Sequence, residues 1–267
     1  MPRWVSHFIS ADFPYFVSVT TSRGDIIVAM NSDSKPIFRP LRSHEPYITR
    51  VKAWATSPNR KFVQKLGSKF WNLRDYGVTD EMLQVFDAIG SLTVAIDHYL
   101  QGKPNPLTVG VIARARTAIQ KRLLLLPSDD ELNTSPLSSP YLYEACRLTG
   151  LIYGIAVVFP IPKTYGILKT LSQRLQASIE KFEIYRSKSF EVQHALFWML
   201  MLGGIAALDK PERLWFVSQL VRLVRILRMD WDSVEEILER FLWLESACGS
   251  GGRLLWSEVM EFIDATV

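Results

Sequence analysis

Residues 195–208 read ALFWMLMLGGIAAL, an apolar run held between His194 and Asp209. At 14 residues it falls short of the roughly 20 predominantly apolar residues that a bilayer span requires. With its flanks, Phe190–Leu208 is apolar nearly all round, and a helix hydrophobic on every face belongs at the centre of a globule. A second run, Leu151–Ile161 (LIYGIAVVFPI), is 11 residues and contains Pro160. It ends a helix expected over Tyr141–Phe159, which is apolar on most faces beyond Arg147 and is stopped by Pro160 and Pro162. Two central helices of this kind predict an all-α fold, with amphipathic helices wrapped round them.

The flanking sequence supplies those helices. Upstream, Phe62, Leu66, Phe70 and Leu73 fall at helical spacing before Gly77. A helix opening at Thr79 and Asp80 carries the stripe Met82, Phe86, Ile89, Thr93, Ile96 and Leu100, and stops at Gly102 and Pro104. Thr108 is the expected N-cap of the next, with Ile112, Ala115, Ile119, Leu123 and Leu126 on one face and Pro127 at its end. Residues 127–140 (PSDDELNTSPLSSP) read as a polar loop, and Ser139–Pro140 as the start of the helix after it. Ile167–Tyr185 follows, striped by Leu168, Leu171, Leu175, Ile179 and Phe182.

Downstream, Asp209 with Glu212 resembles a capping box for Glu212–Met229, and Asp232 with Glu235 repeats it for Ser233–Cys248. Gly249, Gly251 and Gly252 are expected to break the chain before a last helix, Leu254–Ala265. The expectation is a compact bundle of about nine helices over residues 61–267, with no solenoid repeat. Residues 1–60 are expected to be irregular, because Pro2, Pro14, Pro36, Pro40, Pro46 and Pro58 interrupt regular elements. Local propensity within them favours a β-hairpin, Tyr15–Thr20 and Ile26–Met30 flanking a Thr21–Asp25 turn.

Composition bounds the function. The 267 residues are 48% hydrophobic and 22% charged, with 31 Lys and Arg against 27 Asp and Glu. A formal net charge of +4 is weak support for a nucleic-acid or membrane partner. Two cysteines, Cys146 and Cys248, make neither a disulfide framework nor a tetrahedral zinc site, and read as buried thiols of a reducing compartment. The N-terminal sequence lacks the continuous apolar segment of a secretory signal, so an intracellular soluble protein is expected.

Each candidate constellation has a plainer alternative. Asp129, Asp130 and Glu131 could hold magnesium as in isoprenoid synthases, but they sit between prolines without a second carboxylate cluster and read as solvated loop acids. His7, His44, His98 and His194 include no i, i+4 pair. Cys146 lies mid-helix among apolar neighbours, and Gly249–Gly252 (GSGG) lacks the Lys-Ser/Thr and preceding strand of a phosphate loop. Arg222, Arg225 and Arg228 form a basic stripe, and Glu235, Glu236 and Glu239 an acidic one; such runs normally face water. No residue is therefore assigned as catalytic, cofactor-binding or metal-binding, and no cofactor is expected.

Four segments carry a resemblance: Tyr143–Tyr153 (YEACRLTGLIY), Leu196–Leu208 (LFWMLMLGGIAAL), Pro211–Leu227 (PERLWFVSQLVRLVRIL) and Trp231–Val259 (WDSVEEILERFLWLESACGSGGRLLWSEV). Their order resembles the C-terminal half of the fungal-specific transcription factor domain, the regulatory domain of binuclear zinc-cluster regulators. The match is clearest over residues 141–260. The resemblance implies an all-α regulatory domain without catalysis, a nuclear role in transcription control, and protein partners from the transcription machinery or self-association. It also implies that Asp25–Met30 is helical, which is preferred here to the hairpin.

The departures are specific. Zinc-cluster regulators hold two zinc ions with six closely spaced cysteines, whereas this chain has two, 102 positions apart. Sequence-specific DNA binding by this chain alone is thus not implied, nor is a membrane role. The reading is a regulatory domain acting through protein contacts or by sensing a small molecule between helices. The alternatives are an all-α enzyme of secondary metabolism, motivated by the acidic loop, and a truncated inactive paralogue, motivated by the N-terminal segment.

Overall fold

The computed structural model describes residues 24–30, 34–37, 45–56, 66–103, 106–132, 140–158, 166–181 and 189–265. Among them every regular element is helical and no strand occurs. In chain order these are α1 (residues 24–30), α2 (Glu45–Ala55), a 3-10 helix (Ser68–Tyr76), α3 (Asp80–Leu100) and α4 (Val109–Leu125). Then come the one-turn α5 (Asp129–Leu132) and α6 (Pro140–Tyr153), which runs into a π-helical turn (Gly154–Val158). Last are α7 (Ile167–Lys181), α8 (Phe190–Ala206), α9 (Arg213–Leu227), α10 (Trp231–Leu238) and α11 (Glu245–Asp264).

α8 is the hub that its sequence implies. It packs against α6, α7, α9, α10, α11 and the 3-10 helix, and every residue from Ala195 to Gly204 is buried. Phe70, Phe86, Trp198 and Phe241 form an aromatic centre, with ring centroids 4.4 Å (Phe70–Phe86), 4.9 Å (Phe70–Trp198) and 5.0 Å (Phe70–Phe241) apart. Trp198 Nε1 donates to the Leu242 carbonyl at 2.9 Å, so the one polar atom of that buried ring is satisfied. Thr79, Thr108, Ser189 and Asp230 cap α3, α4, α8 and α10 by accepting from the amide three residues on. Each such cap contributes about 1 kcal/mol.

Several expectations are corrected. The element bounded by Gly77 is a 3-10 helix, not an α-helix. Gly67 and Gly77 flank it with left-handed backbone (φ 80° and 94°). Its first donors are taken by tertiary bonds, Gly67 N–H to Phe241 O (3.0 Å) and Lys69 N–H to Arg240 O (3.1 Å). Phe70 and Leu73, three apart, then share the inner face. Phe62 lies outside the described residues.

Asp209 forms no capping box. It takes φ 61°, and Glu212, whose backbone is helical, bonds Gln173 of α7 instead (2.5 Å). The start of α9 is anchored by Arg213, which grips Glu258 of α11 through two hydrogen bonds (2.8 and 2.9 Å) and donates to the Gly204 carbonyl. The helix expected over Ser233–Cys248 breaks at residues 239–244. Phe241, Leu242, Trp243 and Leu244 are all buried in this non-helical stretch. Asp230, not Asp232, caps α10.

The glycines at 249, 251 and 252 do not stop the chain. They lie inside α11, where Gly252 sits under the Trp243 and Trp231 rings. Residues 1–60 are not uniformly irregular. Residues 24–30 are helical, as preferred above for Asp25–Met30 over the hairpin, and Tyr15–Thr20 lies outside the described residues. α2 forms because Ile48, Val51, Trp54 and Ala55 line one face, against α3 and α4, and Pro46 falls in its first turn, where the amide needs no partner. The polar loop is shorter than expected, since Asp129–Leu132 is helical.

Candidate functional site

α6 is apolar enough to lie in the core, yet it brings Glu144 and Arg147 there with it. Both side chains are 5% exposed. An isolated buried charge is prohibitive, so opposite charges three residues apart on a buried helix must meet. They do: Arg147 donates from Nε and Nη2 to the two Glu144 carboxylate oxygens, each at 2.8 Å. Arg174 of α7 reaches the same carboxylate through Nη2 at 3.3 Å and stays 25% exposed. Ser178 Oγ donating to the Tyr141 carbonyl (3.2 Å) fixes α7 beside α6.

These arginines form one wall of a cavity of about 210 Å³. Leucines from the end of α4 (Leu124 and Leu126), α6 (Leu151) and α7 (Leu171) line it too, and α1 contributes Met30. Lys35 and Glu131, joined by an ion pair of 2.5 Å, also line it. The hydrogen bond from Lys35, then that from the Ser128 amide (2.9 Å), holds the Glu131 carboxyl below its ordinary value. α1 is secured from beneath. Asp25 and Lys121 pair at 3.6 Å with each side chain only 4% exposed, and Asp25 accepts from the Ile37 amide at 2.8 Å. One carboxylate thus ties α1 and residues 34–37 to α4.

Compared with known protein families, with characterised proteins and with solved structures, the chain matches none.

Of the described residues singled out in the sequence, Glu131 lies at this cavity and the others fall elsewhere. Asp129 and Asp130 open α5, and their side chains lie outside the described part; Glu131 is engaged by Lys35 on the cavity rim. His98 closes α3 with its ring edge-on to Trp54 at 5.3 Å, and His194 lies half-buried in α8 beside Phe190. His7 and His44 lie outside the described residues. Among the described residues, no group of three or more His, Cys, Asp or Glu side chains could hold a metal ion. Burial pushes the Cys146 thiol up, and that of Cys248 up to about 12. Arg222, Arg225 and Arg228 are exposed on and just after α9. Glu235 pairs with Arg253 (3.2 Å) and Glu236 with Arg240. No helix among the described residues is long and apolar enough to cross a membrane.

Apart from Glu131, one of the three loop acids singled out above, the charged residues that line the cavity were not found from sequence. Glu144 and Arg147 carried a usable signal, opposite charges at i, i+3 in an otherwise apolar helix. Lys35 and Arg174 carried none, because only the fold brings α7 and the segment after α1 together.

Proposed function

We propose that this chain is a regulatory domain of the kind borne by binuclear zinc-cluster regulators, without a zinc cluster of its own. It works in the nucleus through contacts with other proteins and performs no catalysis. One observation carries the reading. The four segments of the resemblance fold as neighbours on a single body, with α8 in contact with α6, α9, α10 and α11. Their most characteristic residues serve that packing: Glu144 and Arg147 pair within α6, Arg213 joins α9 to α8 and α11, and Trp198 bonds the Leu242 carbonyl. Side chains spent on joining helices in this way suit a scaffold for docking. The cavity beside Arg147 and Arg174 supplies a place where a small effector could bias that scaffold.

The direct test fuses the chain to a heterologous DNA-binding module and measures transcription of a reporter in a fungal host. Activation or repression that depends on the chain is expected. The chain alone is expected to leave the mobility of promoter DNA unchanged. A fusion that folds and reaches the nucleus, yet leaves the reporter at the level of the module alone, would overturn the reading.

A further inference from the structure

We propose that α1 and residues 34–37 form a detachable strap, an autoinhibitory contact that closes a leucine-lined face at the end of α4, on α6 and on α7. What a partner gains from the opened face rests on the function proposed above; the opening itself does not.

Three features set this segment apart from the bundle. The first is its size. α1 spans residues 24–30, and a helix shorter than about 12–15 residues does not persist on its own. It is helical only while seated, with Ile26, Ala29 and Met30 buried at 0–2% exposure and Val28 turned outward at 58%. The second is that the segment closes on itself. The Ser34 amide donates to the Ala29 carbonyl at 3.0 Å, and the Ile37 amide to the Asp25 carboxylate at 2.8 Å. These bonds leave with the segment, so they do not oppose its detachment. The third is the seam. Ala29, Met30 and Lys35 of the strap and Leu126, Leu151 and Leu171 of the bundle line the same cavity of about 210 Å³. Side chains that border a void lack packing partners on that side, so apolar contact holds the strap less firmly than a filled core would.

Two ion pairs pin the strap, and they differ. Asp25 meets Lys121 of α4 at 3.6 Å with both side chains 4% exposed, so its release strands a charge away from water. Lys35 meets Glu131 of α5 at 2.5 Å with both side chains about half exposed, where a pair contributes little and water replaces either partner. The strap thus has a buried anchor near its start and a weak latch near its end. Opening begins at the latch, and Asp25 is the last attachment to give way. Once off, the strap leaves Leu126, Leu151 and Leu171, none of them now more than 2% exposed, open to a competing helix with the same buried pattern as α1.

Hydrogen exchange of the full chain, read by mass spectrometry, tests this together with peptide binding. α1 should exchange at least about tenfold faster than α8, as a unit that opens without global unfolding does. D25N and I26E, both on the strap, should each raise that exchange about tenfold again while α8 keeps its protection. A fluorescein-labelled peptide of residues 24–37 should then bind the I26E chain saturably in an anisotropy titration. The parent should bind it at least about tenfold more weakly, because its own strap fills the seat at high effective concentration. The same peptide carrying I26E should bind neither. Loss of α8 protection along with that of α1 in the I26E chain would show an integral helix and overturn the proposal. Unchanged exchange in both variants, or a peptide that binds the I26E chain no better than the parent, would overturn it too. If D25N destabilises α4 through the stranded Lys121, I26E decides, because it alters nothing on the bundle side. An opened strap with a silent reporter would remove the regulatory reading and leave the strap; an active reporter without strap opening would do the reverse.

Discussion

Gly252 offers the sharpest test of the packing. It lies in α11, and a Cβ added there would come 2.7 Å and 2.9 Å from Cη2 and Cζ2 of Trp243 and 3.3 Å from Cη2 of Trp231. Trp243 cannot swing aside easily, because its ring is 1% exposed and its Nε1 donates to Glu245 at 3.1 Å. Alanine would relieve the helix of a poor former, a gain of about 1 kcal/mol. Forcing one methyl against a rigid buried indole costs about 2–3 kcal/mol. The net prediction for Gly252→Ala is a loss of about 1–2 kcal/mol, which lowers Tm by about 2–8 °C for a chain of this size. Gly110, exposed in the first turn of α4 with nothing nearer than Thr108 Oγ1 at 3.9 Å, is the control. Gly110→Ala should raise stability by about 0.5–1 kcal/mol. Urea unfolding followed by far-UV circular dichroism measures both. A Gly252→Ala protein as stable as its parent would refute the argument that the two indoles leave no room for a side chain at this position.

Other outcomes follow from the charged and titrating groups. Glu144→Ala leaves the buried Arg147 without its two carboxylate bonds and should cost about 3–5 kcal/mol in chemical denaturation; a loss below 1 kcal/mol, the scale of a surface pair, would show that the pair is not buried as described. His194 is held below its ordinary value of 6.5, first by burial and then by Lys69 and Arg240, with Glu191 opposing. The unfolded chain therefore takes up this proton first, so stability should fall as pH drops from about 6.5 through the folded value. His194→Gln should flatten that part of the curve, and an unchanged slope would assign it to other groups. Cys146 and Cys248 are buried with raised thiols, so iodoacetamide should modify neither until the chain unfolds; rapid labelling of the native protein, read by mass spectrometry, would contradict their placement.

By itself the sequence determined the class and the centre. Apolar residues on every face of Phe190–Leu208 can be hidden only inside a helical body, and threonines placed just before periodic stripes mark where α3 and α4 begin. These signals are local, because a helix makes its hydrogen bonds within itself and shows its buried face as a period. The tertiary structure decided whatever depended on a distant partner. Residues 241–244 leave the helix with all four side chains buried, and Trp198 bonds the Leu242 carbonyl there. Gly249, Gly251 and Gly252 lie inside α11, and at Gly252 Trp231 and Trp243 fill the space that a side chain would take. The cavity is the extreme case: Lys35, Glu131, Arg147 and Arg174 come from four separate stretches of chain, and no local pattern tells a charge that will face water from one that will line a cavity.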